Sequence, residues 1–126
     1  MAQAWVYVLE LDNDCRYVGF TKNLEARMWQ HFNDPQVGWV KAHAAKRIIM
    51  AVKAEDLQTE RYWTLKLMSD LEWQKIRGYT WVKVDMPRCP SAVNCFWDTR
   101  DDWQYASEGW LREIERRVEN GKGIEW

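Results

Sequence analysis

The sequence predicts an α/β (α+β) domain: a small three-stranded, mostly antiparallel sheet flanked by helices, followed by a C-terminal helical extension. Three observations carry that expectation. Two short β-type runs, Trp5-Val6-Tyr7-Val8-Leu9 and Arg16-Tyr17-Val18-Gly19-Phe20, flank the turn-forming Asp12-Asn13-Asp14 and read as a hairpin. Directly after them, Leu24, Met28 and Phe32 recur at helical spacing. A third β-rich run, Arg47 to Lys53, then leads into a long helical stretch opened by Glu55-Asp56.

A hairpin turn centred on Asp12 would pair Tyr7 with Tyr17 directly across the strands, with both side chains on one face. Thr21 is placed to cap a helix from about Lys22 to Phe32, with Glu25 near its positive end. On that helix Asn23, Arg27 and His31 form a second stripe beside the apolar one. Asn33-Asp34-Pro35 ends it, and Trp39 to Lys46 reads as a short helix. The long helix runs to about Asp70. Leu71 to Arg77 continues or restarts it until Gly78, and Tyr79 to Val84 is extended. Pro87, Pro90 and Ser91 mark a linker. Asp101 or Asp102 caps a last helix carrying Trp103, Trp110, Ile114 and Val118, with Gly121 as its stop.

With 126 residues, the chain is long enough for one domain with a real core. Residues 1–85 form the main unit and 86–126 an extension that packs on the same domain or forms a two-fold dimer interface. The start, Met1-Ala2-Gln3, lacks the pattern of a signal peptide, and no run is long enough to span a membrane. The expectation is a soluble cytoplasmic or otherwise intracellular protein. Three scattered cysteines, Cys15, Cys89 and Cys95, suit a reducing compartment; Cys89 and Cys95 are also weighed as metal ligands. The net charge of −1 at pH 7 is unevenly spread: residues 1–53 carry 7 Lys/Arg against 5 Asp/Glu, and 54–126 carry 11 against 14. The first part is mildly basic, which fits either a solvated surface or moderate, salt-sensitive DNA affinity. The 10 tryptophans belong mostly to core or interface, with a few available to stack on bases.

Glu60 sits where the helical pattern of Leu57, Thr64, Leu67, Met68 and Leu71 calls for an apolar group. A carboxylate there is either paired, with Arg61 or a nearby Lys, or bound to a metal. Arg27 and His31 likewise read as surface-pair formers or, with the tyrosines facing them, as part of a polar cluster.

The run from Tyr7 through Tyr17-Val18-Gly19 to Arg27 and His31 resembles the GIY-YIG nuclease superfamily, over roughly residues 4 to 82. Trp5 stands where the first glycine of the name belongs, and Thr80 stands where relatives often have Asn after a Gly-Tyr-like pair. The resemblance implies metal-dependent hydrolysis of DNA phosphodiesters, with Glu60 holding one Mg²⁺ (or Mn²⁺). Arg27 would clamp the phosphate, Tyr7 act as general base, Tyr17 orient the water, and His31 bond or relay from a phenol. Lys22, Lys41, His43 and Lys46 are the candidate substrate contacts; the last three read equally as a plain basic loop. The alternative from another class is a GIY-YIG-like module that binds DNA or protein without cutting, or a domain that only contacts proteins.

Overall fold

A computed structural model of the chain describes residues 3–98 and 100–119; the expected helix stop at Gly121 and the Met1-Ala2 start lie outside them. Strand β1 (Ala4–Leu11), strand β2 (Arg16–Thr21), helix α1 (Leu24–Asn33), helix α2 (Gly38–Ala42), strand β3 (Ala45–Ala54), helix α3 (Leu57–Asp70), strand β4 (Ile76–Gly78), helix α4 (Ser91–Asn94) and helix α5 (Glu108–Glu119) follow in order. The sheet has four strands, not the expected three, in the order β3-β1-β2-β4. β1 pairs antiparallel with β2 and β3, whereas β4 runs parallel to β2. The extra strand comes from the stretch expected to prolong the long helix. α3 stops at Asp70, a 3₁₀ turn covers Trp73–Lys75, and Ile76–Gly78 then pairs with Arg16–Val18. Three residues of strand carry too little alternation to be read from sequence.

The hairpin turn is centred on Asn13, not Asp12. Asn13 and Asp14 both adopt left-handed φ values, 64° and 59°, a conformation Asn and Asp tolerate better than bulkier residues. Tyr7 therefore faces Gly19, and Leu9 faces Tyr17. Moving the centre by one residue moves the register by two, so the tyrosines keep one face but meet diagonally, with ring centroids 6.3 Å apart.

That face of the sheet is covered by α1, α2 and α5. Tyr7, Leu9, Leu11 and Tyr17 pack there with Leu24, Met28, Trp39, Leu111, Ile114 and Val118. The cap of α1 is Asn23, whose side chain accepts from Ala26 N–H at 3.1 Å; Thr21 instead bonds Asn23. The helix starts two residues later than expected, and His31 is buried with Leu24 and Met28, with Phe32 partly buried beside them. The opposite face carries Val6, Val8, Val18 and Val52 under Trp63 of α3. Leu57 and Leu71, at the ends of the anticipated apolar stripe, are exposed.

Residues 101–106 are not helical. They run along the outer edge of β3, where Gln104 C=O accepts from Lys53 N–H at 2.9 Å and Ala106 N–H donates to Ala51 C=O at 2.8 Å. Trp103 accordingly packs on Tyr62 and Trp63 rather than on the last helix. Helix α5 begins at Glu108, and Ser107 accepts from Trp110 N–H. Glu115 takes Ile48 N–H at 2.7 Å and Arg112 donates to Ile48 C=O, which closes the remaining edge. An open strand edge is a template for association, and here the chain's own tail occupies it. The apolar stripe of α5 is buried against α1 and β3 in cis. Among the described residues no helix is long and apolar enough to cross a membrane.

Because Ile114 is wholly buried beneath the tyrosine-bearing face, Ile114→Ala should destabilise the protein by about 2–5 kcal/mol. Urea unfolding measures this; a loss under ~0.5 kcal/mol, the size of an ordinary surface change, would show that α5 contributes little to the core.

Candidate active site

Five polar side chains from four elements converge at one end of the sheet. Tyr7 lies in the middle of β1 and is fully buried. Its ring passes over Gly19 on the neighbouring strand, so closely that a Cβ there would lie 2.2 Å from the Tyr7 hydroxyl oxygen. Glycine is thus required by space at this position. A buried phenol needs partners, and two are supplied. The Tyr7 hydroxyl lies 2.6 Å from His31 Nε2, and Arg27 Nε donates to its oxygen at 3.3 Å. His31 and Arg27 stand four residues apart on α1 and so project from the same side. The Tyr17 ring meets His31 edge-on at 5.4 Å, and the Arg27 guanidinium favours the ionised form of Tyr17.

Glu60 comes from α3, on the other face of the sheet, with only 9% of its surface exposed. It joins the cluster where β4 ends. Gly78 lies opposite Val18 on β2, and a Cβ at Gly78 would sit 2.6 Å from Thr64 Oγ1 and 2.7 Å from Val18 O. That gap lets α3 close onto the strand. Gly78 and Trp81 exchange both backbone hydrogen bonds, at 2.9 Å each, and close a tight turn in which Tyr79 takes φ 55°. A bulky residue in that region is an outlier. The turn brings the Tyr79 backbone to the Glu60 side, where it favours the ionised carboxylate. Arg77 fastens the same segment. Its buried guanidinium donates to the carbonyls of Lys83 (2.7 Å), Gln74 (2.9 Å), Ile76 (2.8 Å) and Val84 (3.0 Å), and stacks 4.1 Å from the Trp39 ring centroid.

Burial dominates the electrostatics. It pushes the Tyr7 phenol well above its ordinary pKa, with the Tyr17 charge adding to the shift and Arg27 opposing it. Tyr17 is raised by burial and by Glu60. Burial disfavours the charged form of Arg27, but Tyr7 and Tyr17 outweigh it and hold the guanidinium pKa above its usual value. Glu60 is raised by burial against the Tyr79 backbone and Arg27. His31 is lowered to about 3, first by burial and then by Arg27. The imidazole is therefore neutral at physiological pH.

The other expected contacts are placed differently. Lys22 is exposed between β2 and α1, beside Phe20 and the start of α3 at Asp56–Gln58. Lys41, His43 and Lys46 lie by the hairpin turn, at the opposite end of β1. His43 is bonded to Asn13 at 3.2 Å and packs edge-on against Trp39, 4.4 Å between centroids. Lys46 is the residue skipped by a bulge in the β1–β3 ladder. From Tyr7 to Leu11 is about 13 Å of strand, so the structure does not bring these three to the cluster. Sequence reasoning missed the Tyr79 backbone, the Arg77 strap and Gln30, which accepts from Arg27. Of these only the Gly78-Tyr79-Thr80-Trp81 turn had a sequence signal. Cys15, Cys89 and Cys95 are free, and no group of three or more metal-ligating side chains occurs among the described residues.

A family model of the GIY-YIG catalytic domain matches residues 3–77. No curated protein and no solved structure matches the chain. Domains of the matched type are nucleases, so a nuclease-type hydrolase function is supported at the level of the family.

Two outcomes follow from the geometry. Gly19→Ala should force Tyr7 off its partners and cost about 1–3 kcal/mol by overpacking; an unchanged urea midpoint would show that the Tyr7–Gly19 contact is loose. The second concerns acid. An unfolded His titrates near ~6.5, whereas folded His31 stays neutral to about 3. Between those values the unfolded chain holds the extra proton, so His31 makes stability fall as pH drops, by at most about 1.4 kcal/mol per unit. The raised Glu60 carboxyl works in the opposite sense at the acid end. Comparing wild type with His31→Gln from pH 7 to 5, the wild type should lose stability more steeply; parallel pH profiles would refute the buried neutral imidazole.

Proposed function

The chain belongs to the GIY-YIG catalytic domain family, and from that membership we propose that it is a metal-dependent DNA endonuclease with Tyr7, Tyr17, Arg27, His31 and Glu60 as its catalytic group. The observation that carries this reading is the convergence of a buried carboxylate, a cation and two phenols at the end of β4, joined through the Tyr7 hydroxyl to His31 and Arg27.

Glu60 suits a divalent cation of the Mg²⁺ or Mn²⁺ kind. It is a nearly buried carboxylate whose charge is only partly met by the Tyr79 backbone and by Arg27. With one carboxylate as ligand, the remaining positions would fall to water and substrate phosphate, as hard oxygen-seeking cations accept. When bound, such a cation supplies Lewis-acid stabilisation of charge on the phosphate and the departing 3′ oxygen.

The protein's own residues account for the rest. Arg27, held by Gln30 and the Tyr7 phenol, offers its remaining donors to a nonbridging phosphate oxygen. Tyr17 orients the attacking water. Tyr7 takes that water's proton at Oη as its own proton passes to His31 Nε2. A neutral imidazole can accept that proton, and a protonated one could not. The water oxygen bonds to phosphorus, the bond to the 3′ oxygen breaks, and the 3′ oxygen is protonated from solvent. A 5′ phosphate and a 3′ hydroxyl remain. Lys22 contacts phosphate near the cut, whereas Lys41 and Lys46 meet flanking duplex at most. Residues 1–85 carry this chemistry and 86–126 complete the core beneath it, in a soluble intracellular protein.

A second reading, a module that binds DNA or protein without cutting, draws on the complete burial of Tyr7. Nicking of supercoiled plasmid in Mg²⁺ against EDTA separates the two. The wild type should cut, and Glu60→Gln should cut ~10²–10³-fold more slowly with an unchanged melting profile. No cleavage by the wild type of supercoiled, linear, branched or single-stranded DNA, with either metal, would refute the nuclease reading. Wild-type rates for Glu60→Gln would refute the ligand role.

A further inference from the structure

On the outer side of α3, away from the sheet, lies a groove of about 410 Å³ lined by Gln58, Arg61, Tyr62, Leu65, Phe96 and Trp97. Three features set it apart. Trp97 is 79% exposed, more than any other large hydrophobic described. Its neighbour Asp98 is held by Lys66 at 2.6 Å and by the Tyr62 hydroxyl, which anchors the segment carrying Trp97 and neutralises the nearest acid. Phe96 packs edge-on against Tyr62, 5.3 Å between centroids, so the aromatic wall is already built. Within the groove lining, Arg61 is the only charged side chain, and among the described residues it has no hydrogen bond or ion pair.

Arg61 follows Glu60 directly, about 100° further round the helix. The groove's α3 stripe, Gln58, Arg61, Tyr62 and Leu65, is centred roughly 150° round the helix from Glu60, so the ~10–12 Å width of α3 separates it from the carboxylate, at least about three nucleotides along a strand at ~3.4 Å per step. An exposed indole beside an unpaired guanidinium matches a base with its phosphate: the ring stacks and the cation meets the anion. A base inside a duplex has its faces covered by its neighbours and cannot stack there.

We infer that this groove binds an unpaired nucleotide of the DNA strand near the cut, so that the preferred substrate carries a single-stranded segment. The inference rests on the nuclease reading for its substrate, but binding tests it apart from cleavage. The probes are two fluorescein-labelled duplexes of one sequence, one blunt and one with a single-stranded overhang. Their binding to the Glu60→Gln protein in EDTA is followed by fluorescence anisotropy. The overhanging duplex should bind more tightly. Trp97→Ala, added to that protein, should weaken overhang binding about tenfold and leave blunt binding unchanged, with Trp97→Phe restoring most of it. Arg61→Ala should lower the salt slope on the overhang by about one. In the cleaving protein, Trp97→Ala should raise KM on the overhang and spare kcat. Equal affinity for the two duplexes, or a Trp97→Ala loss shared by both or absent from both, would overturn the groove. If the wild type cuts DNA and the groove test fails, the nuclease reading stands alone. If the wild type cuts nothing and the overhang preference depends on Trp97, the groove stands as a binding site.

Discussion

The rest of the site depends on the passage of the Tyr7 ring over Gly19. A phenol at the centre of a buried strand contributes a large apolar surface and one polar atom that must not be left unsatisfied. The missing Cβ at residue 19 gives the ring its path, and the path determines where the hydroxyl emerges. From that point His31 and Arg27 are constrained in turn. Both must come from one side of α1, one turn apart, and the helix must sit so that His31 is enclosed and Arg27 is only half-buried. Met28 and Leu24 supply that seating on the hydrophobic side. The polar cluster and the core of this face are therefore one packing arrangement.

Enclosure has electrostatic consequences that favour some roles over others. The described cluster holds one fixed cation, Arg27, one carboxylate, Glu60, and a neutral imidazole. Burial raises the cost of ionising either phenol, so neither tyrosine is a resting phenolate. A proton leaving the Tyr7 hydroxyl must go to a partner in hydrogen-bond contact, and His31 Nε2 is that partner. Arg27 opposes charge on His31 yet favours charge on the phenols. The Glu60 carboxylate is disfavoured by burial and favoured by the Tyr79 backbone and by Arg27, and Tyr79 itself sits in a left-handed conformation. Strain of order 1–3 kcal/mol at such a position is sustained by the Arg77 strap, whose bonds to backbone carbonyls on either side of the turn, with its stacking on Trp39, hold both ends of it.

What the sequence made legible, and what it did not, follows from the range of each interaction. The hairpin, α1 and α3 are local: turn residues and a period suffice to see them, whereas Tyr7, Tyr17, Arg27, His31 and Glu60 were singled out on them only through the family resemblance. The turn centre was misplaced by one residue because a run of Asp-Asn-Asp offers several centres, and only packing selects the one that seats Tyr7 on Gly19. Thr21 and Asn23 are both competent caps, so sequence alone does not choose between them. β4 was invisible because its three residues are defined by pairing with β2. The extended stretch before α5 was read as helix for a related reason: its conformation is set by the free edge of β3, more than fifty residues earlier in the chain. Lys41, His43 and Lys46 looked close to the site because sequence distance says nothing about which end of a strand a loop returns to.

The same non-local logic bears on where the functional unit ends. The family match stops at residue 77, but two things the site needs lie beyond it. The Tyr79 backbone favours the ionised Glu60, and the carbonyls of Lys83 and Val84 hold Arg77, which fixes that turn. Further on, Leu111, Ile114 and Val118 share one hydrophobic cluster with Tyr7 and Tyr17, while Gln104, Ala106, Arg112 and Glu115 satisfy the backbone of β3. Without that cover, the strand would present free N–H and C=O groups beside a half-uncovered apolar face, a combination that invites association with other chains. β3 in turn pairs along β1, the strand that carries Tyr7. A disturbance of the C-terminal segment therefore reaches the phenol through the shared hydrophobic cluster and through the pairing of β3 on β1.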